Sequence, residues 1–238
     1  MTDLLRTRYL VFGLALAVGG LAFWASAQTP ASALTPVSRE MLCVTEGALA
    51  EQNSGELSVE TPKMRAYVNT ETPAEAHVRF AYQGATDKDI PLGSGEMRRQ
   101  FGLKLLAQDP CNLLYVMWRF EPASKIVVSV KSNPGQSTSA ECGNRGYTNL
   151  KPVRGGKVRD VAVASTHTLE ASLKGEELRV CADGNSVWEG TVGQGASRLK
   201  GPVGIRSDNA RLRFTLRTAF TGGRAYKGGP ACRTDAGE

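Results

Sequence analysis

Basic and aromatic side chains recur at every second position in several apolar stretches of this chain, and that spacing decides what chemistry they could share. In "AHVRFAY" the polar positions are His77 and Arg79, and in "FGLKLLA" the polar position is Lys104. In "LLYVMWRF" Tyr115 and Arg119 fall on one side, and in "KIVVSVK" Lys131 does the same. Alternate residues of a strand share a face. Neighbouring strands would therefore gather Arg79, Lys104, Arg119 and Lys131 into a cationic groove with Tyr115 as a platform. Such a groove suits an acidic glycan, because guanidinium and ammonium groups grip carboxylates and sulfates. The same pattern also describes an ordinary solvated sheet face, where long basic side chains discourage edge pairing.

Three further constellations carry chemistry. The polar stretch "NPGQSTSAECGNRGYTNL", residues 133–150, holds Arg145 and Tyr147 and reads as a long loop. Loops on a rigid scaffold commonly carry binding residues, and a wrap over one edge is the alternative. His167 precedes the stretch "TLEASL" and is a candidate general base, or simply a polar residue opening a strand. With only His77 and His167 available, a metal centre or a Ser-His-Asp triad has little material. Asp109 or Asp208 with backbone carbonyls could hold a structural calcium; no other cofactor is expected. In "GPVGIRSDNARLRF", residues 201–214, Ser207-Asp208-Asn209 reads as the turn between two strands. Arg206 is the one residue there that could face a ligand.

The N-terminus bears on compartment. Arg6 and Arg8 precede the apolar run "YLVFGLALAVGGLAFW", which ends in Ala25-Ser26-Ala27. That order predicts a signal peptide, residues 1–27, cleaved after Ala27, with an uncleaved anchor as the alternative. The mature chain contains no second run long enough to span a bilayer and is expected to be secreted or periplasmic. Residues 28–40, "QTPASALTPVSRE", read as a flexible leader, and 41–238 as one domain. Cleavage removes Arg6, Arg8 and Asp3, leaving 27 basic and 22 acidic residues, a charge of +5. That modest excess permits an anionic partner. Nucleic acid is excluded by compartment and by the lack of a basic run with interleaved aromatics.

The five cysteines suggest two disulfides and one thiol in an oxidising compartment. Fifteen pairings are open. Cys111 and Cys142 bracket a predicted hairpin and its following loop, and Cys43 and Cys232 flank the domain, so these pairs are expected. Cys181, inside the stretch "LRVCADG", is the remaining thiol. Cysteine spacings typical of zinc sites are absent.

The elements that must position these residues are strands. Besides the alternating stretches above, "EPAS" turns one hairpin within 112–131, and Asp183-Gly184-Asn185 joins "EELRVCA" to "SVWEGTV". Lys174–Glu176 makes another turn, and "GEMRRQFGLKLL" alone competes as a helix. Short strands separated by glycine-rich turns indicate an all-β sandwich or jelly roll.

Three stretches resemble concanavalin A-like, laminin-G-like domains of the lectin/glucanase superfamily. They are "FGLKLLAQDPCNLLYVMWR", "HTLEASLKGEELRVCADGNSVWEG" and "GPVGIRSDNARLRF", covering roughly 95–217 in the family's order. The resemblance is nearest to secreted bacterial domains that include keto-disaccharide hydrolase-like members. It implies an antiparallel β-sandwich, and the fold hosts lectins, glycosidases, lyases and adhesive modules alike. The family's glucanases carry a Glu-x-Asp-x-x-Glu strand. Here Glu170, Glu176 and Glu177 lie on or beside a turn and Glu189 stands alone. Its alginate lyases use Arg, Gln, His and Tyr, for which Arg119, His77 or His167, and Tyr147 are present at a different spacing. The expected function is therefore a carbohydrate-binding domain for an acidic polysaccharide, using Arg79, Lys104, Tyr115, Arg119, Lys131, Arg145 and Tyr147. A polysaccharide-cleaving hydrolase or lyase is the first alternative, and a structural or protein-binding envelope module the second.

Overall fold

The computed structural model describes residues 34–222 and 224–227. In chain order its strands are β1 (Thr35–Val37), β2 (Leu42–Glu46), β3 (Ala50–Glu51), β4 (Leu57–Val59), β5 (Lys63–Val68), β6 (Glu75–Ala85), β7 (Arg99–Asp109) and β8 (Asn112–Glu121). There follow β9 (Lys125–Lys131), helix α1 (Ser139–Cys142), β10 (Tyr147–Asn149), β11 (Arg154–Gly155), β12 (Thr166–Lys174), β13 (Glu177–Ala182) and β14 (Asn185–Thr191). Helix α2 (Gly193–Ser197), β15 (Gly204–Asp208) and β16 (Ala210–Thr218) complete the order. Two antiparallel sheets result. One runs β11-β14-β13-β12-β6-β16-β4-β3 with β1 also on β16, and the other runs β10-β9-β8-β7-β15-β5-β2.

The alternating apolar positions close the space between the sheets. Phe80, on β6, is the hub: its ring meets Phe101 at 5.3 Å, Trp118 at 5.7 Å and Phe120 at 5.7 Å. Trp118 is fully buried, and its indole N–H donates to Ser124 Oγ at 3.0 Å. The "EPAS" hairpin forms as expected between β8 and β9. So does the β13–β14 hairpin, whose turn residues Asp183 and Gly184 have φ of 49° and 76°, as a two-residue type I′ turn requires. "GEMRRQFGLKLL" enters β7 rather than a helix, because Phe101, Leu103 and Leu105 face the core together.

Three boundaries differ from the sequence expectation. Residues 34–40, expected within the flexible leader 28–40, belong to the fold: Leu34 and Val37 are buried and Thr35–Val37 pairs with β16. Pro36 is tolerated there because β1 is a short edge strand. The loop 133–150 contains an additional edge strand, β10, paired with β9. And Ser207-Asp208 is not a turn, since β15 runs through Asp208 and only Asn209, at φ 55°, makes the corner. The expected signal peptide, residues 1–27, lies outside the described residues.

The Cys111–Cys142 disulfide is present, with a Cα–Cα distance of 5.8 Å and 31 residues between its halves. Cys43 is disulfide-bonded; Cys232, its expected partner, lies outside the described residues. Cys181 is a buried thiol.

Asn209 ties the corner down. Its Oδ1 accepts from Ile90 N at 2.8 Å, and its Nδ2 donates to Ile90 O at 2.9 Å and Arg98 O at 3.0 Å. The side chain thus fixes the start of the β6–β7 loop and the approach to β7. Asn209→Ala loses these bonds and places an ordinary residue in the left-handed region, a loss of roughly 2–4 kcal/mol. Urea unfolding should show that loss. Asn209→Gly, which accepts the backbone angle, should fall between alanine and the wild type.

Candidate functional site

The outer face of the seven-stranded sheet carries the site. Alternation turns Arg65 and Tyr67 of β5, Arg206 and Asp208 of β15, Gln100 and Lys104 of β7, and Tyr115 of β8 away from the core. Cross-strand register sets glycine opposite the two long cations: Arg206 faces Gly102 and Lys104 faces Gly204. Neighbouring backbones approach both glycines closely. A Cβ on Gly102 would lie 2.2 Å from Val116 O, and one on Gly204 2.3 Å from Ala66 O. Only glycine fits there.

Asp208 is the centre of the cluster and is 1% exposed. One oxygen accepts from Arg65 Nη2 at 2.5 Å, the other from Arg206 Nε at 2.8 Å and Gln100 Nε2 at 2.7 Å. Burial alone would raise the carboxyl's pKa. The attraction of Arg206 and Arg65, with the hydrogen bonds from Arg206 and Gln100, outweighs burial and holds it well below the usual carboxylate range. Arg206 then extends over the Tyr115 ring, 4.9 Å from its centroid, and donates to Tyr147 Oη at 3.4 Å. The Tyr115 and Tyr147 rings stack at 5.9 Å. Tyr115 is buried, whereas Tyr147 is 38% exposed and forms the rim.

Lys104 is the least satisfied cation in the cluster. It is 6% exposed, and its Nζ makes one long hydrogen bond, to Ala66 O at 3.4 Å, 6.0 Å from the Tyr67 ring centroid. Burial pushes its pKa down to about 7, and the nearby Arg65 and Arg206 push the same way. The Oε1 of Gln100 is buried with no hydrogen-bond partner. A donor with spare hydrogens and an acceptor with spare lone pairs thus belong to the same cluster.

The other expected ligand residues are divided by the fold. Arg79 and His77 sit on β6 of the opposite sheet, so they cannot join this face. Arg119 shares the face but lies four residues along β8 from Tyr115, about 13 Å away, where its Nε donates to Ala123 O. Lys131 is buried and spends its protons on Gly143 O at 2.7 Å, Pro110 O at 3.0 Å and Cys142 Sγ at 3.2 Å. It anchors the loop before β10 while lying 5.2 Å from the Tyr147 ring centroid. Arg145 caps α1 through Glu141 O and Cys142 O. The expected solvated face is therefore largely covered, because α1, its disulfide and Tyr226 pack on it. Asp109 and Asp208, weighed as calcium ligands, turn their oxygens to N–H donors.

Arg65 and Gln100 are not among the expected residues, and Asp208 is expected only as a calcium ligand or a turn residue. Period-two alternation would have found Arg65, opposite Met64 and Ala66, and Asp208, two residues past Arg206. The β6–β7 loop brings Glu96 and Arg98 close enough to act on Arg119, and a Cβ on Gly93 would stand 3.2 Å from Asn144. That loop therefore reaches the loop preceding β10.

No protein-family model matches the chain, and no curated protein sequence matches it. Its structure resembles carbohydrate-binding module CBM66 from Bacillus subtilis at 10% identity and a TM-score of 0.52, over 75% of this chain and 96% of that one. It also resembles domain 4 of a GH43 extracellular arabinanase from Geobacillus stearothermophilus, solved with arabinotriose, at 10% identity, TM-score 0.42, over 75% and 82%. A third likeness is to a galectin of Caenorhabditis elegans at 10% identity, TM-score 0.38, over 76% and 99%. The fold is the concanavalin A-like antiparallel jelly roll that the three sequence stretches implied.

Asp208 gives a signed pH dependence. Its folded pKa is depressed, so its contribution is fully present above the unfolded carboxylate value of about 3.9 and fades as pH falls below it. Asp208→Asn breaks a buried pair and should lose roughly 3–5 kcal/mol at pH 7. Urea unfolding should show the gap between variant and wild type narrowing as pH falls from about 4 towards 2.

Proposed function

We propose that this protein is a secreted or periplasmic carbohydrate-binding domain whose ligand is an acidic polysaccharide. The ligand meets the uncovered rim of the outer face of the seven-stranded sheet at Tyr147, beside Arg206, with Lys104 buried in the same face. One observation carries this: Arg65 and Arg206 converge on the buried carboxylate of Asp208, with only the partly exposed Glu46 beside Arg65, and Lys104 on the same face has one long hydrogen bond. Buried cations in excess of buried anions favour an anionic ligand, since its carboxylate supplies the missing charge and acceptors. The rim ring of Tyr147 offers an apolar face to a sugar ring. The likeness to a carbohydrate-binding module supports the same reading at the level of architecture. The apolar N-terminal segment and the Cys111–Cys142 disulfide support the compartment.

The lyase-like alternative draws no support from the geometry. Arg119 pairs with Lys125, and Tyr147 pairs with Lys131, six residues along β9, about 20 Å apart. His77 is in the other sheet and His167 packs in the core, so acid–base cooperation with Tyr147 is out of reach.

Isothermal titration with polygalacturonate, alginate and a neutral glucan tests the proposal. Both polyuronates should bind, with affinity that falls as salt rises, and the neutral glucan should not. Tyr147→Ala and Lys104→Gln should each weaken binding by about tenfold or more, while Arg79→Ala, on the opposite sheet, should leave it unchanged. Binding of the neutral glucan alone, unaffected by Lys104→Gln, would overturn the acidic-ligand assignment. Because burial sets the Lys104 pKa to about 7, the protonated form is lost as pH rises through neutrality. Affinity for polygalacturonate should therefore decline between pH 6 and pH 9, and Lys104→Gln should flatten that decline.

A further inference from the structure

A second constellation sits at the end of the sandwich where β12 begins, and the glycan proposal makes no use of it. His167 Nδ1 lies 2.9 Å from Asp183 Oδ2, and His167 Nε2 lies 2.9 Å from Ser165 Oγ. Asp183 is itself held in place, its Oδ1 accepting from Thr168 N at 2.9 Å and its own N–H donating to Thr168 O at 2.9 Å. A carboxylate only accepts, so the hydrogen on the imidazole sits on Nδ1. Nε2 then presents its lone pair to the serine hydroxyl. The imidazole is 6% exposed, and its ring is fixed against Trp118 at 5.0 Å and Phe80 at 5.8 Å.

We propose that Ser165, His167 and Asp183 form an acyl-transfer site, with Ser165 as nucleophile, His167 as general base and Asp183 as the group that orients it. The order of contacts is that of a serine–histidine–carboxylate triad, recognised by geometry rather than by position in the chain. Ser165 is half-buried and borders exposed Ala162, Val163 and Ala164, so its hydroxyl lies at the rim rather than in the core. Ala164 holds φ 66°, a left-handed angle unusual for alanine. The single hydroxyl hydrogen of Ser165 has two acceptors in reach, Ala162 O and His167 Nε2, and rotation about Cβ–Oγ turns it from the carbonyl to the imidazole for attack.

The substrate class is a carboxylic ester with a small acyl group. Oγ bonds to the carbonyl carbon while its proton passes to His167 Nε2. The ester C–O bond then breaks, and the departing alkoxide takes that proton. Water repeats the sequence: its proton goes to His167 Nε2, its oxygen bonds to the acyl carbon, and the acyl–Oγ bond breaks as Oγ takes that proton back, which releases the acid and restores Ser165 and neutral His167. No further reactant is needed.

Treatment of the full chain with a fluorophosphonate, followed by peptide mass spectrometry, tests the site. Ser165 should carry the adduct, and p-nitrophenyl acetate should be hydrolysed through an acyl-enzyme burst. Ser165→Ala removes only a hydroxyl and should abolish both signals with an unchanged circular dichroism spectrum. Asp183→Asn should slow labelling by a hundredfold or more. No adduct at Ser165 in the folded wild-type chain, or wild-type ester hydrolysis in Ser165→Ala, would overturn the proposal. Because neither readout uses a glycan, failure here is separate from failure of the carbohydrate assignment.

Discussion

The buried carboxylate of Asp208 is the interaction on which the outer face of the seven-stranded sheet depends. It sits on β15, between β7 and β5, and accepts from one residue of each neighbour and one of its own strand. Gln100 and Arg206 therefore share one anion with Arg65, which Ser207 O and Glu46 also hold. Removing either arginine would leave a buried carboxylate less compensated, and removing the carboxylate would leave two guanidinium groups opposed. The stacking of Arg206 on Tyr115, and of Tyr115 on Tyr147, follows from that placement. Geometry at the rim is thus set by charge at the centre.

The core below makes this placement rigid. Phe80 reaches across to Phe101, Trp118 and Phe120, so β6 of one sheet is locked to β7 and β8 of the other. The strands that carry Lys104 and Tyr115 outward are the same ones that carry Leu103 and Val116 inward. At the far end of β8, Trp118 touches His167, so the same aromatic cluster also fixes the imidazole of the second constellation. One packed centre supports two separate polar sites.

The sandwich was legible because strand alternation and turn residues are local signals. The Asp183-Gly184 hairpin and the β8–β9 hairpin follow from their own residues, and Cys111 and Cys142 from the hairpin they bracket. The site was legible only in part. Lys104, Tyr115, Arg119 and Lys131 share a sheet as expected, and Tyr147, expected in a loop, joins it on β10; Arg79 does not, because face is local whereas sheet membership is decided by long-range pairing. Lys131 and Arg145 show a different limit. Their charges suggest a ligand, yet both answer backbone carbonyls around α1, and such acceptors carry no sequence signature. In the sequence Asp208 reads as turn chemistry because Asn209 follows it, whereas the corner occupies one residue instead of three. The Ser165–His167–Asp183 chain joins residues from a loop, a strand and a hairpin turn.

Lys104 separates the demands of stability from those of binding. Its folded pKa, about 7, lies far below the unfolded lysine value of about 10.4. The folded state therefore binds fewer protons than the unfolded state across that interval, and stability rises with pH between those two values. Below pH 7 the full penalty of a buried ammonium is present. A methionine or leucine of similar length would avoid it and could still pack beside Tyr67. Arg206 differs, because Asp208 neutralises it within the fold. An ammonium that the fold compensates only with one long hydrogen bond and the partly exposed Glu46 is the arrangement expected when further compensating charge arrives from outside. An anionic ligand would then contribute most where the empty fold is least satisfied, so binding and local ordering of this face are one equilibrium.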